Sequence, residues 1–440
     1  MLAEKLSLKT KLGFGIGDLG GNLFFTALSF WALHYLTDVV GLAAASAGAA
    51  LMLGKLWDAL VDPVVGMMSD RTRTRWGRRR PYLLFGAIPL GLVMALFFAA
   101  PGLTGQAPLF WWALLVFALL NTAYSFVNIP YGSLTPELTA DYHERTALNG
   151  FRFGFAVVGT LLGAVLVQPI LGLIPGNPKA GFSLVGLIFG AVVTLTALAT
   201  GFSVREKPVV DAAENISFWK SWMGVLKNKP FRIILFAYSF HLIGITFLSG
   251  MLVYYFKYIL GNEGETTLAM ALLLVVAMVF IPVSVMFSKR FGKVRTYQVS
   301  MMILAVAALL IWLFGASMGT GYVLAVMTGA GVGMGFGYVP PFAIVPDTIE
   351  VEARKTGRRE EGAYYGLWNF AVKMSQAAGT AGSGLVLGFA GYAADKVQTP
   401  LSLAAIQLLI GPVPAFFFLA SAALLLTYPL DEKAYKAAVG

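Results

Sequence analysis

The sequence predicts an all-α membrane protein of twelve transmembrane helices, built as two six-helix halves. Three observations predict it. Of 440 residues, 58% are hydrophobic and only 12% charged, against roughly 45–50% and about 25% in a soluble domain. Apolar runs of about 20 residues, long enough to cross a bilayer as helices, recur along the whole chain, and the two-residue alternation of a membrane barrel is missing. Finally, about 26 of the 32 Lys and Arg fall in every second inter-helix segment. Those segments are Lys5–Lys11, Arg71–Arg80, Arg145, Arg205–Arg232, Lys289–Arg295, Arg354–Arg359 and the tail after Asp431. That distribution is the positive-inside rule. It places both termini in the cytoplasm of a cell (inner) membrane protein and requires an even number of spans. The net charge of +10 is thus topology charge, and no nucleic-acid partner is expected.

The expected helices cover residues 11–36, 44–69, 81–100, 109–134, 148–174, 181–203, 231–259, 266–288, 295–316, 320–347, 361–390 and 404–428. The first follows the short charged segment Met1–Lys11 and serves as its own insertion signal. The second ends in the arginine-rich loop Asp70–Pro81. The fourth ends in Asn128-Ile-Pro130-Tyr-Gly-Ser-Leu-Thr-Pro136-Glu137 and the tenth in Tyr338-Val-Pro340-Pro-Phe-Ala-Ile-Val-Pro346-Asp347. Proline, proline and acid recur there 210 residues apart (130 to 340, 136 to 346), which marks the halves as a repeat. Residues 204–230 are polar and form the only long hydrophilic stretch between spans. They read as a cytoplasmic linker, partly an amphipathic helix around Ile216–Leu226, between halves 1–203 and 231–440. The glycines at 331, 333, 335 and 337 lie within an apolar span, with no strand before them. They permit close helix packing or bending and are not a phosphate loop.

Ionisable groups at membrane depth are costly and usually face a cavity or an ion path. The second helix holds two, Asp58 and Asp62. Their i, i+4 spacing puts both carboxylates on one face, as a hard cation such as Na⁺ or a transferable proton requires. Lys55 shares that face, so a structural ion pair with Lys55 or Lys373 competes with the cation reading. Lys373 is the lone charge between Tyr364 and Tyr392, suited to an anionic group or to Asp58. Arg152 stands near the start of the fifth span, where snorkelling is the alternative. The chain has no Cys, which excludes disulfides, thiolate metal sites and a cysteine nucleophile. His34, His143 and His241 are scattered, with no catalytic-triad or metal-ligand spacing. No enzyme and no cofactor are expected.

These residues resemble the glycoside–pentoside–hexuronide cation symporters, a branch of the major facilitator superfamily. The resemblance is carried by Gly15-Ile-Gly17-Asp18, Thr37-Asp38-Val-Val-Gly41, Trp57-Asp58-Ala, Asp62-Pro63, Asp70-Arg71 through Pro81, Asn128-Ile-Pro130-Tyr131-Gly132-Ser133, Arg152, Asp347 and Lys373. It implies a symporter that imports a sugar, glycoside or sugar acid by alternating access, as a monomer. It also implies a cation site at Asp58 and Asp62 with Ser125 and Asn128, Na⁺ being the first choice and H⁺ the alternative. Asn22, Asn128, Arg152, Tyr338, Trp368, Asn369 and Lys373 fall at the family's substrate positions. Asp70, Arg71 and Arg78 are similar to a cytoplasmic Asp–Arg latch, and Asp347, Glu350 and Arg354 to its counterpart in the second half. The melibiose carrier has acids where this chain has Asn22 and Asn128 and a tryptophan where it has Gly132, whereas glucuronide carriers are similar to it at the two amides. Sodium-dependent lysophospholipid symporters are also similar in Trp57-Asp58-Ala, Asp62-Pro63, Pro130-Tyr131 and Lys373, which makes a lysolipid the second substrate expectation.

Overall fold

The computed structural model describes residues 6–139, 142–206, 223–356, 361–394, 396–430 and 435. Among them the chain is helical, apart from turns and one isolated bridge between Thr74 and Gly77. It divides into two compact units, Met1–Ala213 with Ala393–Lys396 and Glu214–Tyr392 with Val397–Gly440. Most of the expected linker, including Ile216 through Trp222 of its amphipathic part, lies outside the described residues.

The first unit contains α1 (Leu8–His34), α2 (Ala44–Arg71), α3 (Arg80–Phe98), α4 (Gln106–Gly132), the short α5 (Thr135–Leu138), α6 (Tyr142–Val165), α7 (Val167–Gly172) and α8 (Pro178–Ser203). Helix α1 packs against α6 and α8, α3 against α8 and α4, and α2 against α4. The α1–α6 contact is close because α6 turns glycine toward α1. A Cβ on Gly159 would lie 2.1 Å from the Leu19 carbonyl oxygen, and one on Gly163 would lie 2.5 Å from that of Leu23. Small residues at such positions let backbones approach without a bulky interface. That approach brings the Arg152 end of α6 to Asp18.

The second unit contains α9 (Lys229–Tyr254), α10 (Thr266–Phe291), α11 (Lys293–Leu310), α12 (Ala316–Tyr338), α13 (Pro340–Thr356), α14 (Glu361–Phe389), α15 (Pro400–Ile410) and α16 (Pro412–Leu426). Helix α12 packs between α10 and α11, and its alternating glycines serve both contacts. Gly331 and Gly335 abut the carbonyls of Leu273 and Ala277 on α10, whereas Gly333 and Gly337 meet Ile303 and Ser300 on α11. Residues two apart on a helix point to opposite sides, so a spacing of two gives one helix two close neighbours.

Three expected spans are interrupted. The fifth starts at Tyr142 and breaks at Leu166. The tenth breaks between Tyr338 and Pro340, where Pro340 and Pro341 lack the N–H that would continue the ladder. The twelfth starts at Pro400, capped by Thr399, and breaks at Gly411-Pro412. By length and composition, nine helical segments among the described residues can cross a membrane. One of these runs from Lys293 to Lys355 and holds α11, α12 and α13. Helices α1 and α14 are as long, and carry Asp18 and Asn22 in the one and Asn369 and Lys373 in the other.

The units repeat one local device. Helices α1 and α9 both end in a π-helical turn, Tyr35–Val39 and Tyr255–Ile259. In the first, the amides of Val40 and Leu42 donate to the carbonyls of Tyr35 and Leu36; in the second, those of Leu260 and Asn262 donate to Tyr255 and Phe256. A glycine of positive φ, Gly41 or Gly261, follows each. This likeness adds to the proline–acid repeat seen in the sequence.

Candidate functional site

Within the first unit, α2 and α4 are joined along a polar seam. Asp58 is 1% exposed and Ser125 is 1% exposed, and Asp62, one turn further along α2, is half-buried. The Ser125 hydroxyl lies 3.0 Å from Asp58 Oδ1 and 2.6 Å from Asp62 Oδ1. A hydroxyl has a single hydrogen to donate, so it serves one of the two carboxylates at a time. Two acids converging on one hydroxyl repel each other, and a proton or a cation relieves that repulsion. Asp58, Asp62 and Ser125 together offer hard oxygen ligands. No cluster of three or more His, Cys, Asp or Glu side chains suited to a metal ion occurs among the described residues.

The seam continues on both sides of the pair. Lys55 Nζ donates to Asn121 Oδ1 at 3.3 Å, and the Asn121 amide donates in turn to the Phe117 carbonyl at 2.7 Å. The same ammonium lies 4.9 Å from the centre of the Phe25 ring, within cation–π range. Trp57 Nε1 donates to Thr122 Oγ1 at 2.9 Å. Asn128, three residues beyond Ser125, borders a small cavity with Gly17, Gly21, Tyr124 and Tyr131.

A second cluster joins α1, α4 and α6. Arg152 Nε donates to Asp18 Oδ2 at 2.5 Å, and Nη2 faces Oδ1 at 3.4 Å. The Tyr131 hydroxyl also lies 2.9 Å from Asp18 Oδ2, and the Tyr131 ring sits 5.0 Å from the guanidinium carbon. Arg152 is therefore part of an ion pair with Asp18. Asn22 donates to the carbonyl of Asp18 at 2.8 Å on its own helix. Tyr124 stacks on Phe24 with centroids 4.2 Å apart.

The family described as MFS/sugar transport protein matches residues 13–432. This chain belongs to that family. It is 30% identical to the glucuronide carrier protein homolog of Escherichia coli strain K12, over 98% of this chain and 95% of that one. It is also 30% identical to the isoprimeverose transporter of Lactiplantibacillus pentosus, over 96% and 88%. A crystal structure of the nucleoside transporter NupG is similar with a TM-score of 0.62 at 16% identity, covering 96% of this chain and all of that one, and shows the fold alone. This MFS sugar-transport family member is a multi-pass membrane transporter and not an enzyme, and the resemblance to glycoside and glucuronide symporters is borne out.

In the second unit of the transporter, Trp368 is 4% exposed and stacks on Tyr238 with centroids 4.6 Å apart. Tyr238 thus covers one face of that ring. Asn369 and Tyr338 are exposed, and Lys373 is half-buried one turn beyond Asn369.

Of the expected latch residues, Glu350 and Arg354 pair with each other, whereas Asp70 and Asp347 pair with residues outside the expected set. Asp70 binds Arg79, whose buried guanidinium also donates to Ser69. Arg71 is exposed. Arg78 gives its backbone N–H to Glu206, which also accepts from the amides of Arg79 and Arg80 at the start of α3. Asp347 pairs with Lys293 of α11, and Glu350 pairs with Arg354 one turn along α13. Sequence reasoning left Arg79, Glu206 and Lys293 unassigned among similar charges, because spacing does not say which arginine turns inward. Asp18 was findable, since it is the lone acid in the middle of the first span, the signal that singled out Lys373.

Proposed function

We propose that this protein is a cation-coupled symporter that imports a sugar, glycoside or sugar acid by alternating access. The observation that carries the reading is Ser125 set between Asp58 and Asp62, a three-oxygen cluster on two neighbouring helices. Na⁺ suits it best, because three hard oxygens exceed what one proton needs; H⁺ is the alternative. The cation neutralises the pair and ties α2 to α4. Asn22, Asn128 and Arg152 are the proposed substrate residues of the first unit, and Lys373 with its neighbours those of the second. The fold is completed by twelve spans with both termini cytoplasmic, in a monomer of the inner membrane.

The named relatives are a glucuronide carrier homolog and an isoprimeverose transporter, which favours a carbohydrate over a lysophospholipid. The deciding experiment is uptake into proteoliposomes of radiolabelled glycosides and uronides, with an inward gradient of Na⁺, of H⁺ or of neither. Accumulation that follows the Na⁺ gradient supports the reading. Accumulation that follows the H⁺ gradient alone changes the coupling ion. Equilibration indifferent to both gradients sinks it.

A further inference from the structure

Trp57 presents an unusual contact for a residue on an apolar face. Leu53, Leu56, Leu60 and Val64 are its neighbours on the exposed stripe of α2, and Trp57 itself is 49% exposed. Its ring belongs in hydrocarbon by composition, yet an indole N–H without a partner is costly there. Thr122 supplies the partner at 2.9 Å. The threonine hydroxyl gives its own hydrogen to the Ala118 carbonyl at 2.8 Å, so its oxygen is oriented to accept. In sequence, Trp57 is next to Asp58, and Thr122 is three residues before Ser125. The two helices are thus bonded at one level on both sides of their contact, Trp57 to Thr122 on the outer side and Asp58 and Asp62 to Ser125 on the inner.

We infer that Trp57 and Thr122 are positioning residues for the cation site, a clip on the outer edge of the seam that sets the register of the Asp58–Asp62 pair against Ser125. This rests on the cation reading of that pair. A helix is stiff over one turn, so a slide or roll that opens the outer bond also moves the carboxylates from the hydroxyl. Neither residue touches the ion; each acts through the position of α2 on α4.

The test is isothermal titration of the purified protein with NaCl, with choline chloride holding ionic strength constant. Trp57→Phe and Thr122→Val each remove the bond and keep most of the volume. Each should raise the Kd for Na⁺ by about 5-fold, the worth of one hydrogen bond. The double variant should be no weaker than either single one, because both remove the same bond. Thr122→Ser should retain near-native affinity. A role in stability alone would lower the melting temperature in choline chloride and leave the Kd in place. Unchanged Kd in both single variants, or effects that multiply in the double, overturns the clip. Should Trp57→Phe not fold, the contrast of Thr122→Val with Thr122→Ser decides the same question. Ser125→Ala separates the two levels of inference. If it weakens Na⁺ binding while the clip variants do not, only the clip falls. If it has no effect, or the native protein binds no Na⁺, the cation site falls and the clip with it.

Discussion

Helices α2 and α10 occupy the same place in the two halves of the chain, and they differ in what they are allowed to bury. Both are long and contain an internal proline, Pro63 or Pro282. Both lead toward a glycine of positive φ, Gly77 or Gly292. Yet α2 reaches a mean hydropathy of only 1.2, whereas the span containing α10 reaches 2.8. Where α2 has Asp62 just before its proline, α10 has Ile281, and where α2 has Asp58, α10 has Ala277. The architecture is repeated but its ionisable chemistry is not. A buried carboxylate needs a partner on the facing helix, and Ser125 on α4 is that partner.

The largest expected effect comes from removing that chemistry. Asp58→Ala leaves Ser125 and Asp62 facing a void. Gradient-driven accumulation in proteoliposomes should fall by about 100-fold, as expected for loss of a charge-assisted contact at a buried site. Full coupling in this variant would refute the site. The converse experiment transplants the charge. Ala277→Asp places a carboxylate at a 7% exposed position of α10. The cost of an acid near the middle of a span is about 3 kcal/mol. It should appear as a lower melting temperature and reduced yield, with no gain in Na⁺ response. A well-behaved Ala277→Asp protein would mean that the two halves differ less than their sequences imply.

How much of this could be read beforehand follows from the length of each signal. The apolar runs and the alternating basic loops are repeated along the chain, so the helical membrane fold was plain. The i, i+4 acids and Ser125 were legible because one helical period brings Asp58 and Asp62 together, and the resemblance supplied the facing hydroxyl. The Asp18–Arg152 pair was not, since the residues are far apart in sequence and meet only because Gly159 and Gly163 let α6 approach α1. Breaks within spans were also missed. Hydropathy averages over a window, while the breaks before Pro340 and Pro412 are decided by one or two residues. Charge partners in the basic loops had the weakest signal of all, because many arginines stand within reach of each acid.

The glycines that precede the third helix of each half make a closer comparison. Gly77 has φ +104 and Gly292 has φ +92, so a side chain strains either turn by about 1 kcal/mol. At Gly292 nothing lies within 4 Å of an added Cβ, whereas at Gly77 it would meet the Glu206 carboxylate at 2.5 Å. That carboxylate caps α3 through the amides of Arg78, Arg79 and Arg80, and its loss adds about 1 kcal/mol. Gly77→Ala should therefore destabilise about twice as much as Gly292→Ala in thermal denaturation. Adding Glu206→Gln to Gly77→Ala should cost less than the sum of the two changes. Equal losses at Gly77 and Gly292 would mean that Glu206 does not hold the turn.

The smallest effect separates the Asp70–Arg79 and Asp347–Lys293 ion pairs. Arg79 is buried, its side chain 7% exposed against Asp70, and Asp70→Asn removes the carboxylate charge that this guanidinium faces. A cost of about 1–2 kcal/mol is expected, short of the loss for a wholly buried pair because Asp70 itself is 43% exposed. In the second half the Lys293 side chain is 41% exposed and that of Asp347 23%, so Asp347→Asn should cost under about 1 kcal/mol. Salt distinguishes them further. Raising KCl to about 1 M shortens the screening length to about 3 Å, which should erase the Asp347→Asn difference in melting temperature and leave most of that of Asp70→Asn. Choosing KCl keeps Na⁺ out of the comparison, so that any remaining difference belongs to the ion pairs and not to occupancy of the acid pair on α2. Equal salt sensitivity in the two variants would place Arg79 in water, and the first-half ion pair would then be no firmer than the second.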